Sequence, residues 1–367
     1  MQPIRPFHLF VKAIILFAVA NLLFALVNPP VQKLSLYNSI FPGRLRFPFG
    51  GGISSYDLTI DELDAIFAAH IISAEPKPAD EFRIIVLGDS SIWGELLSAQ
   101  ETLAEQLDSA GLTCGGQKIR VYNLGYPHPF ALKDLIILQR AMQYQPDAIL
   151  WPITLNTLRT KTPNPFLLTN GEQTIAIIEK YNLDYDIALL QKPEPTLLQK
   201  TIVGQRNRLA RLFLSQWFGF YWAAGVEPTS HHSKLPPIAN DLDDSIAIGG
   251  LEPPIRIRTV MLPELLNAGH AIAGDMPILL VNEPIFVATG KNSDLRYNSF
   301  YPRWAYDEYM QIINQLAQDN HWHYLNLWNA LPNELFLDTP LHLSAAGEAQ
   351  LARLIIPTLL ETVCPSE

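Results

Sequence analysis

Five consecutive residues, Arg83-Ile84-Ile85-Val86-Leu87, form an apolar run that stops abruptly at Gly88-Asp89-Ser90-Ser91. A short run of this kind, bounded by turn formers, reads as a strand buried on both faces. Such strands belong to parallel sheets covered by helices on each side. Parallel neighbours need long crossovers, and the chain has room for them. Further strands are expected near Lys118 to Asn123, Ala148 to Ile153, Pro277 to Asn282 and His323 to Leu327, with helical stretches between them. This alternation predicts an α/β fold of βαβ units with right-handed crossovers.

In such a sheet, Ser90 falls at the carboxyl end of its strand, the edge where open α/β sheets bind ligands. Backbone N–H groups of the turn after the strand can receive a developing oxyanion. Gly-Asp-Ser is also ordinary turn composition, so the tetrapeptide alone decides little. Near the far end of the chain stands a second element, Asp338-Thr339-Pro340-Leu341-His342, just before a last helix that begins at Ser344.

Together with two segments between them, these ends resemble the SGNH/GDSL family of serine esterases and acyl hydrolases. Gly88, Asp89 and Ser90 match its first block, and the resemblance makes Ser90 the nucleophile, with Asp89 in support. The second block, Asn-x-Gly-x-x-Gly, is half present: Asn123-Leu124-Gly125 fits, while His128 stands where the final glycine is expected. The resemblance implies an oxyanion donor from this block, the N–H of Gly125 or of His128, beside the N–H of Ser90. Asn156, closing the run Asp147 to Asn156, matches the third block and by resemblance gives its side-chain N–H to the same oxyanion. Asp338 and His342 stand for the fourth block, Asp-x-x-His, with one extra residue between them. The blocks cover residues 82 to 160 and 276 to 362 in the family's order. The implied fold is a three-layer, flavodoxin-like parallel five-stranded sheet of order 2-1-3-4-5, with a long insertion after strand 3 at residues 157–275.

A serine hydroxyl is a poor nucleophile until a base takes its proton, and imidazole is the usual base near neutrality. His342 is placed in that role, with Asp338 fixing its tautomer and stabilising the imidazolium. Pro340 opposes a regular helix through the pair, so they are expected to meet across a turn that absorbs the extra residue. The bland readings are that Ser90 and Ser91 cap the next segment, that Asn156 makes an Asx turn, and that His342 merely precedes the N-cap Ser344. The lipase elbow Gly-x-Ser-x-Gly is absent from the chain, which argues against the other common serine-esterase architecture.

The amino terminus predicts a membrane anchor at residues 1–30. Leu9 to Val27 is apolar apart from Lys12 and Asn21, close to the ~20 residues a helix needs to span a bilayer. A cleaved signal peptide competes, with Ala18-Val19-Ala20 as its cleavage sequence. It would leave a hydrophobic region shorter than the roughly 7 residues required. The short basic tail favours an N-in orientation with the rest outside the cytoplasm. Residues 31–80 read as a linker with a lead-in helix from about Thr59 to Ile72, and residues 81–367 as the hydrolase domain. Lys and Arg total 26 against 36 Asp and Glu, a net charge of -10, and no basic run suggests nucleic acid as a partner.

Cys114 follows a helix that begins near Glu101, and Cys364 follows the last helix. With this sheet order both helices pack on one face and run back to the edge opposite the site. A Cys114–Cys364 disulfide is therefore expected, implying an oxidising compartment; two unrelated thiols are the alternative. Within the insertion, a helix from Leu198 to about Ala224 carries Trp217, Phe218, Phe220, Tyr221 and Trp222. It is expected to cap the serine or to lie against the membrane, with most of its aromatics buried. His231-His232 and the acidic group Asp241, Asp243 and Asp244 lack the further ligands a metal site needs, and His321 and His323 read as structural. No metal or cofactor is expected. The leading functional reading is a membrane-anchored hydrolase of an acyl ester, an O-acetyl ester among them, on an envelope glycan or lipid. Acyl transfer from the same site and a catalytically silent binding protein are the alternatives.

Overall fold

The computed structural model describes residues 6–52, 57–159, 162–226 and 237–364. Its centre is a mixed six-stranded sheet. The strands are β1 (Glu81–Val86), β2 (Thr113–Cys114), β3 (Gln117–Asn123), β4 (Ala148–Ile153), β5 (Ile278–Asn282) and β6 (His323–Asn326). They lie in the order β2-β3-β1-β4-β5-β6, with Ile85 opposite Tyr122 and Ile149, and Leu280 opposite Trp151 and Tyr324. All neighbours run parallel except β2, which pairs antiparallel to β3. The five-stranded expectation therefore omits one strand. Its cause is the pair Gly115-Gly116, both at positive φ (55° and 82°), the backbone a two-residue hairpin turn requires.

Ten helices position the site and the surfaces discussed below. They are α1 (Pro6–Val27), α2 (Leu63–Ala69), α3 (Ser90–Trp93), α4 (Leu103–Ser109), α5 (Ala131–Ala141), α6 (Gly171–Tyr181), α7 (Arg206–Ala223), α8 (Glu264–Ala273), α9 (Arg303–Asp319) and α10 (Ala345–Val363). Successive side chains of each strand point to opposite faces, and the core divides accordingly. Ile85, Ile149, Trp151, Ile278 and Leu280 pack with Leu135 of α5, Leu265 of α8 and Tyr309 of α9. Ile84, Val86, Leu150, Leu279 and Val281 pack with Leu103 and Leu107 of α4 and Ile355 of α10. On that second face Cys114 and Cys364 are joined by a disulfide, with Cα atoms 5.5 Å apart.

Helix boundaries shift from expectation for local reasons. The lead-in helix is shorter than predicted, with a 3-10 turn Ile71–Ser73 after α2. The predicted helix from Leu198 breaks into Leu197–Lys200 and α7. At the break a Cβ on Gly204 would stand 2.3 Å from the Leu198 carbonyl oxygen, so the chain turns tightly where a helix would continue. The direct crossover into β5 is α8, whose Gly269 lies against Trp151; a Cβ there would be 2.3 Å from the indole. The aromatics of α7 are mostly not buried, contrary to expectation. Phe218 is buried, whereas Trp217 and Phe220 are 57% and 49% exposed, because only the opposite face of the helix meets the chain.

Helix α1 is long and apolar enough to be a membrane span or a signal sequence. His231-His232 lie outside the described residues. Among the described residues no group of three or more His, Cys, Asp or Glu could hold a metal. Asp241 instead accepts the Lys291 N–H (2.8 Å), and Asp243 accepts that of Ser245 (3.0 Å). Trp322, between His321 and His323, stacks on His270 at 4.5 Å.

Candidate active site

The chain leaves β1 through Gly88, at φ 149°, a conformation that side chains rarely adopt. A Cβ at this position would also strike Ile92 Cγ1 at 2.4 Å. Asp89 caps the short helix α3, its Oδ1 accepting the Ser91 N–H at 3.0 Å. This turn sets Ser90 as the first residue of α3, where the N–H has no acceptor within the helix.

From the other end of the chain, the segment after β6 folds back on itself. Phe336 and Leu343 form an antiparallel bridge, and the Leu337 N–H donates to the His342 carbonyl at 2.8 Å. Asp338 to Leu341 form the loop so closed, with the Thr339 hydroxyl accepting the His342 N–H at 3.2 Å. Thr339, Pro340 and Leu341, which separate Asp338 from His342, lie in this loop. The Phe286 N–H donates to the Pro340 carbonyl at 2.9 Å, fastening the loop to the chain that follows β5. Ser344 then caps α10, accepting the Gly347 N–H at 3.2 Å.

The two ends meet with Ser90 Oγ 2.9 Å from His342 Nε2, and His342 Nδ1 2.8 Å from Asp338 Oδ1. Burial alone would raise the Asp338 pKa. The hydrogen bond and charge of His342, with backbone N–H donors, outweigh it and hold the carboxyl below its usual value. An ionised Asp338 calls for the proton on Nδ1, which leaves Nε2 free to accept from the Ser90 hydroxyl.

The expected oxyanion donors are less uniform. Gly125 lies tightly against α3, for a Cβ there would be 2.7 Å from the Trp93 nitrogen. Its N–H, however, donates to Asn123 Oδ1 at 3.0 Å, while Asn123 Nδ2 donates to the Ile92 carbonyl at 2.7 Å. Asn123 thus straps β3 to α3, and an oxyanion could claim the Gly125 N–H only by sharing or displacing that bond. His128 is at φ 93° and meets Phe49 edge-on, ring centroids 5.8 Å apart. Asn156 lies half-buried in the turn of helix Leu155–Leu158 after β4, its Oδ1 accepting from Arg159 Nη1 at 3.4 Å. That bond assigns Nδ2 as the donor end.

Behind Ser90 lies a buried polar network with no place in the sequence expectations. Lys133 Nζ donates to the Gly88 carbonyl at 2.6 Å and pairs with Asp134 at 2.5 Å. Asp134 in turn accepts from Trp151 Nε1 at 3.2 Å. The Ser91 hydroxyl stands 3.2 Å from Asp89 Oδ1 and 2.8 Å from Glu283 Oε2. A hydroxyl has one proton to give, so both contacts are full hydrogen bonds when one of the two carboxyls is protonated. Glu283 fits: burial first, then the Asp89 charge, push its pKa up to about 8 despite the Ser91 hydrogen bond. Glu348 of α10, also buried, is raised by desolvation and by Glu283. The available sequence signal was Asn282-Glu283 closing an apolar strand, the same pattern that exposes Ser90.

No family model matches the chain, and no curated protein matches it either. Similar solved structures include a protein assigned to the lipolytic G-D-S-L family from Desulfitobacterium hafniense, at 10% identity and a TM-score of 0.35, covering 76% of this chain and 99% of its own. A lipase/acylhydrolase from Enterococcus faecalis is 15% identical with a TM-score of 0.38, covering 78% and 98% respectively. A carbohydrate acetylesterase family member from Sinorhizobium meliloti is 10% identical with a TM-score of 0.34, covering 77% and 98%.

Proposed function

We propose that the chain is a serine hydrolase of acyl esters, anchored in a membrane by α1, with its catalytic part outside the cytoplasm. One observation carries the reading: Ser90 Oγ, His342 Nε2, His342 Nδ1 and Asp338 Oδ1 form a continuous hydrogen-bonded line at 2.9 and 2.8 Å. Ser90 and His342 in this line are 252 residues apart along the chain. An N-cap or an Asx turn needs no such partner.

In the proposed reaction Ser90 Oγ bonds to the ester carbonyl carbon while its proton passes to His342 Nε2. The oxyanion is met by the Ser90 N–H and by Asn156 Nδ2, with the Gly125 or His128 N–H as the third donor. Collapse breaks the bond to the alcohol oxygen, which takes the proton from His342 and leaves an acyl-Ser90. Water then attacks this ester, His342 again taking and returning the proton, and a carboxylic acid is released. Asp338 stays ionised throughout and stabilises the imidazolium.

The O-acetyl or other acyl ester of an envelope glycan or lipid is the substrate class proposed. Support for the compartment comes from the Cys114–Cys364 disulfide, since disulfides persist chiefly in oxidising environments. Hydrolysis of p-nitrophenyl acetate by the wild type and not by Ser90→Ala is the expected result. Equal rates for the two would refute the assignment.

A further inference from the structure

Helix α7 belongs to the insertion and takes no part in the proposed chemistry. Its inner face is well fixed. Tyr37 Oη donates to the Ser215 carbonyl at 3.1 Å, Gln216 Oε1 accepts the Leu36 N–H at 2.6 Å, and a Cβ on Gly219 would be 2.2 Å from Phe41. Its outer face is an apolar stripe left exposed among the described residues, with Phe220 at its edge meeting Phe41 at 5.2 Å between ring centroids. Ala210, Phe213, Trp217, Phe220 and Ala224 follow one another at helical spacing and are all exposed, Phe213 by 70%.

The segment leading into α7 meets α1. The buried residues of α1 are Asn21 and Ala25, one turn apart. Asn21 Oδ1 accepts the Val203 N–H at 3.1 Å, just before α7 begins. Asn21 is six residues from the last residue of α1, so this contact lies ~9 Å down the helix axis at 1.5 Å per residue. Leu197, Leu198 and Val203, in the segment leading to α7, are exposed too. An amphipathic helix resting in a bilayer buries its apolar face about 5–10 Å into the headgroup and acyl boundary, which matches that depth. Charge agrees as well. The whole chain is at -10, yet residues 195–226 contain no Asp or Glu and carry Lys200, Arg206 and Arg211, besides Arg208, which pairs with Glu62 at 3.2 Å. Basic residues beside Trp and Tyr suit an interface of anionic lipid headgroups.

We propose that the outer face of α7 and the Leu197–Val203 segment lie in the interface of the bilayer that α1 enters. The catalytic part is then seated on the lipid surface in a fixed orientation rather than tethered at a distance. This inference rests on the reading of α1 as a membrane helix.

The test uses the full chain in vesicles of phosphatidylethanolamine and phosphatidylglycerol. The chain has two cysteines and they are joined to each other, so an introduced cysteine can be spin-labelled selectively. Labels go at Phe213→Cys, Trp217→Cys and Phe220→Cys, at Asn207→Cys as a polar exposed reference on the same helix, and at Leu16→Cys in α1. Collisions with oxygen, which concentrates in lipid, should exceed those with a water-soluble nickel chelate at the three stripe positions and at Leu16, and the order should reverse at Asn207. If Leu16 reports lipid while the stripe reports water, the surface proposal fails and the anchor stands. If Leu16 also reports water, the anchor reading itself has failed. A stripe shielded from both reagents would mean that protein covers it, which also overturns the proposal.

Discussion

Replacing Glu283 with Gln tests the network that holds the nucleophile's turn. Glu283 is 5% exposed and shares the Ser91 hydroxyl with Asp89. Its pKa is carried from an ordinary 4.5 to about 8, by burial first and the Asp89 charge second. Below about pH 4.5 the group is protonated in both folded and unfolded chains. Between that pH and about 8 the unfolded chain loses the proton and the folded chain keeps it. The folded state then binds more protons, so this group's contribution to stability falls as pH rises and levels off above the folded pKa. The slope is at most about 1.4 kcal/mol per pH unit, so the interval from 4.5 to about 8 sets an upper bound of about 5 kcal/mol. Gln keeps a donor toward Ser91 Oγ and cannot ionise. Urea unfolding of the detergent-solubilised protein at pH 5 to 9 should show the wild type losing up to that much relative to Glu283→Gln. Activity should follow, the wild type falling earlier than the variant on the alkaline side as a second charge appears beside Asp89. Parallel stability curves for the two proteins would refute the protonated Glu283 and the one-proton argument behind it.

Asp338→Asn should lower kcat by about 10⁴-fold while the fold is kept, because the imidazole loses its tautomer control; steady-state kinetics with circular dichroism checks both. Asn156→Ala should cost about 10²–10³ in kcat with little change in KM, whereas a purely structural Asn156 would alter stability and leave kcat alone. Replacing Cys114 and Cys364 together by Ala should cost roughly 2–5 kcal/mol, read as a lower Tm, and reductant should lower the wild type's Tm toward the variant's.

The central parallel strands were legible because Ile84–Leu87, Ala148–Ile153 and Ile278–Val281 are apolar runs with turn residues attached, and Ser90 was legible because Gly88-Asp89 marks a strand end. The hairpin strand Thr113–Cys114 was not. Two residues are too short to show periodicity, and only the adjacent Gly115-Gly116 could have announced it. Pro340 ruled out a helical spacing for Asp338 and His342, but the Phe336–Leu343 bridge that closes their loop joins residues whose pairing no local pattern specifies. Glu283 and Lys133 escaped because a charged residue in an apolar run is read as exposed until its partners are known, and these partners lie 192 and 45 residues away. The outward aromatics of α7 were misread for the same kind of reason. Helical spacing identifies a stripe without saying whether protein or lipid covers it.

Covalent capture of the nucleophile tests the central claim most directly. The full chain, treated with a fluorophosphonate, is digested and the adduct located by peptide fragmentation, which separates Ser90 from the adjacent Ser91. The account predicts one adduct on Ser90, formed rapidly in the wild type and slowed by orders of magnitude in His342→Ala. An unmodified Ser90, or labelling at a rate indifferent to His342, would contradict it.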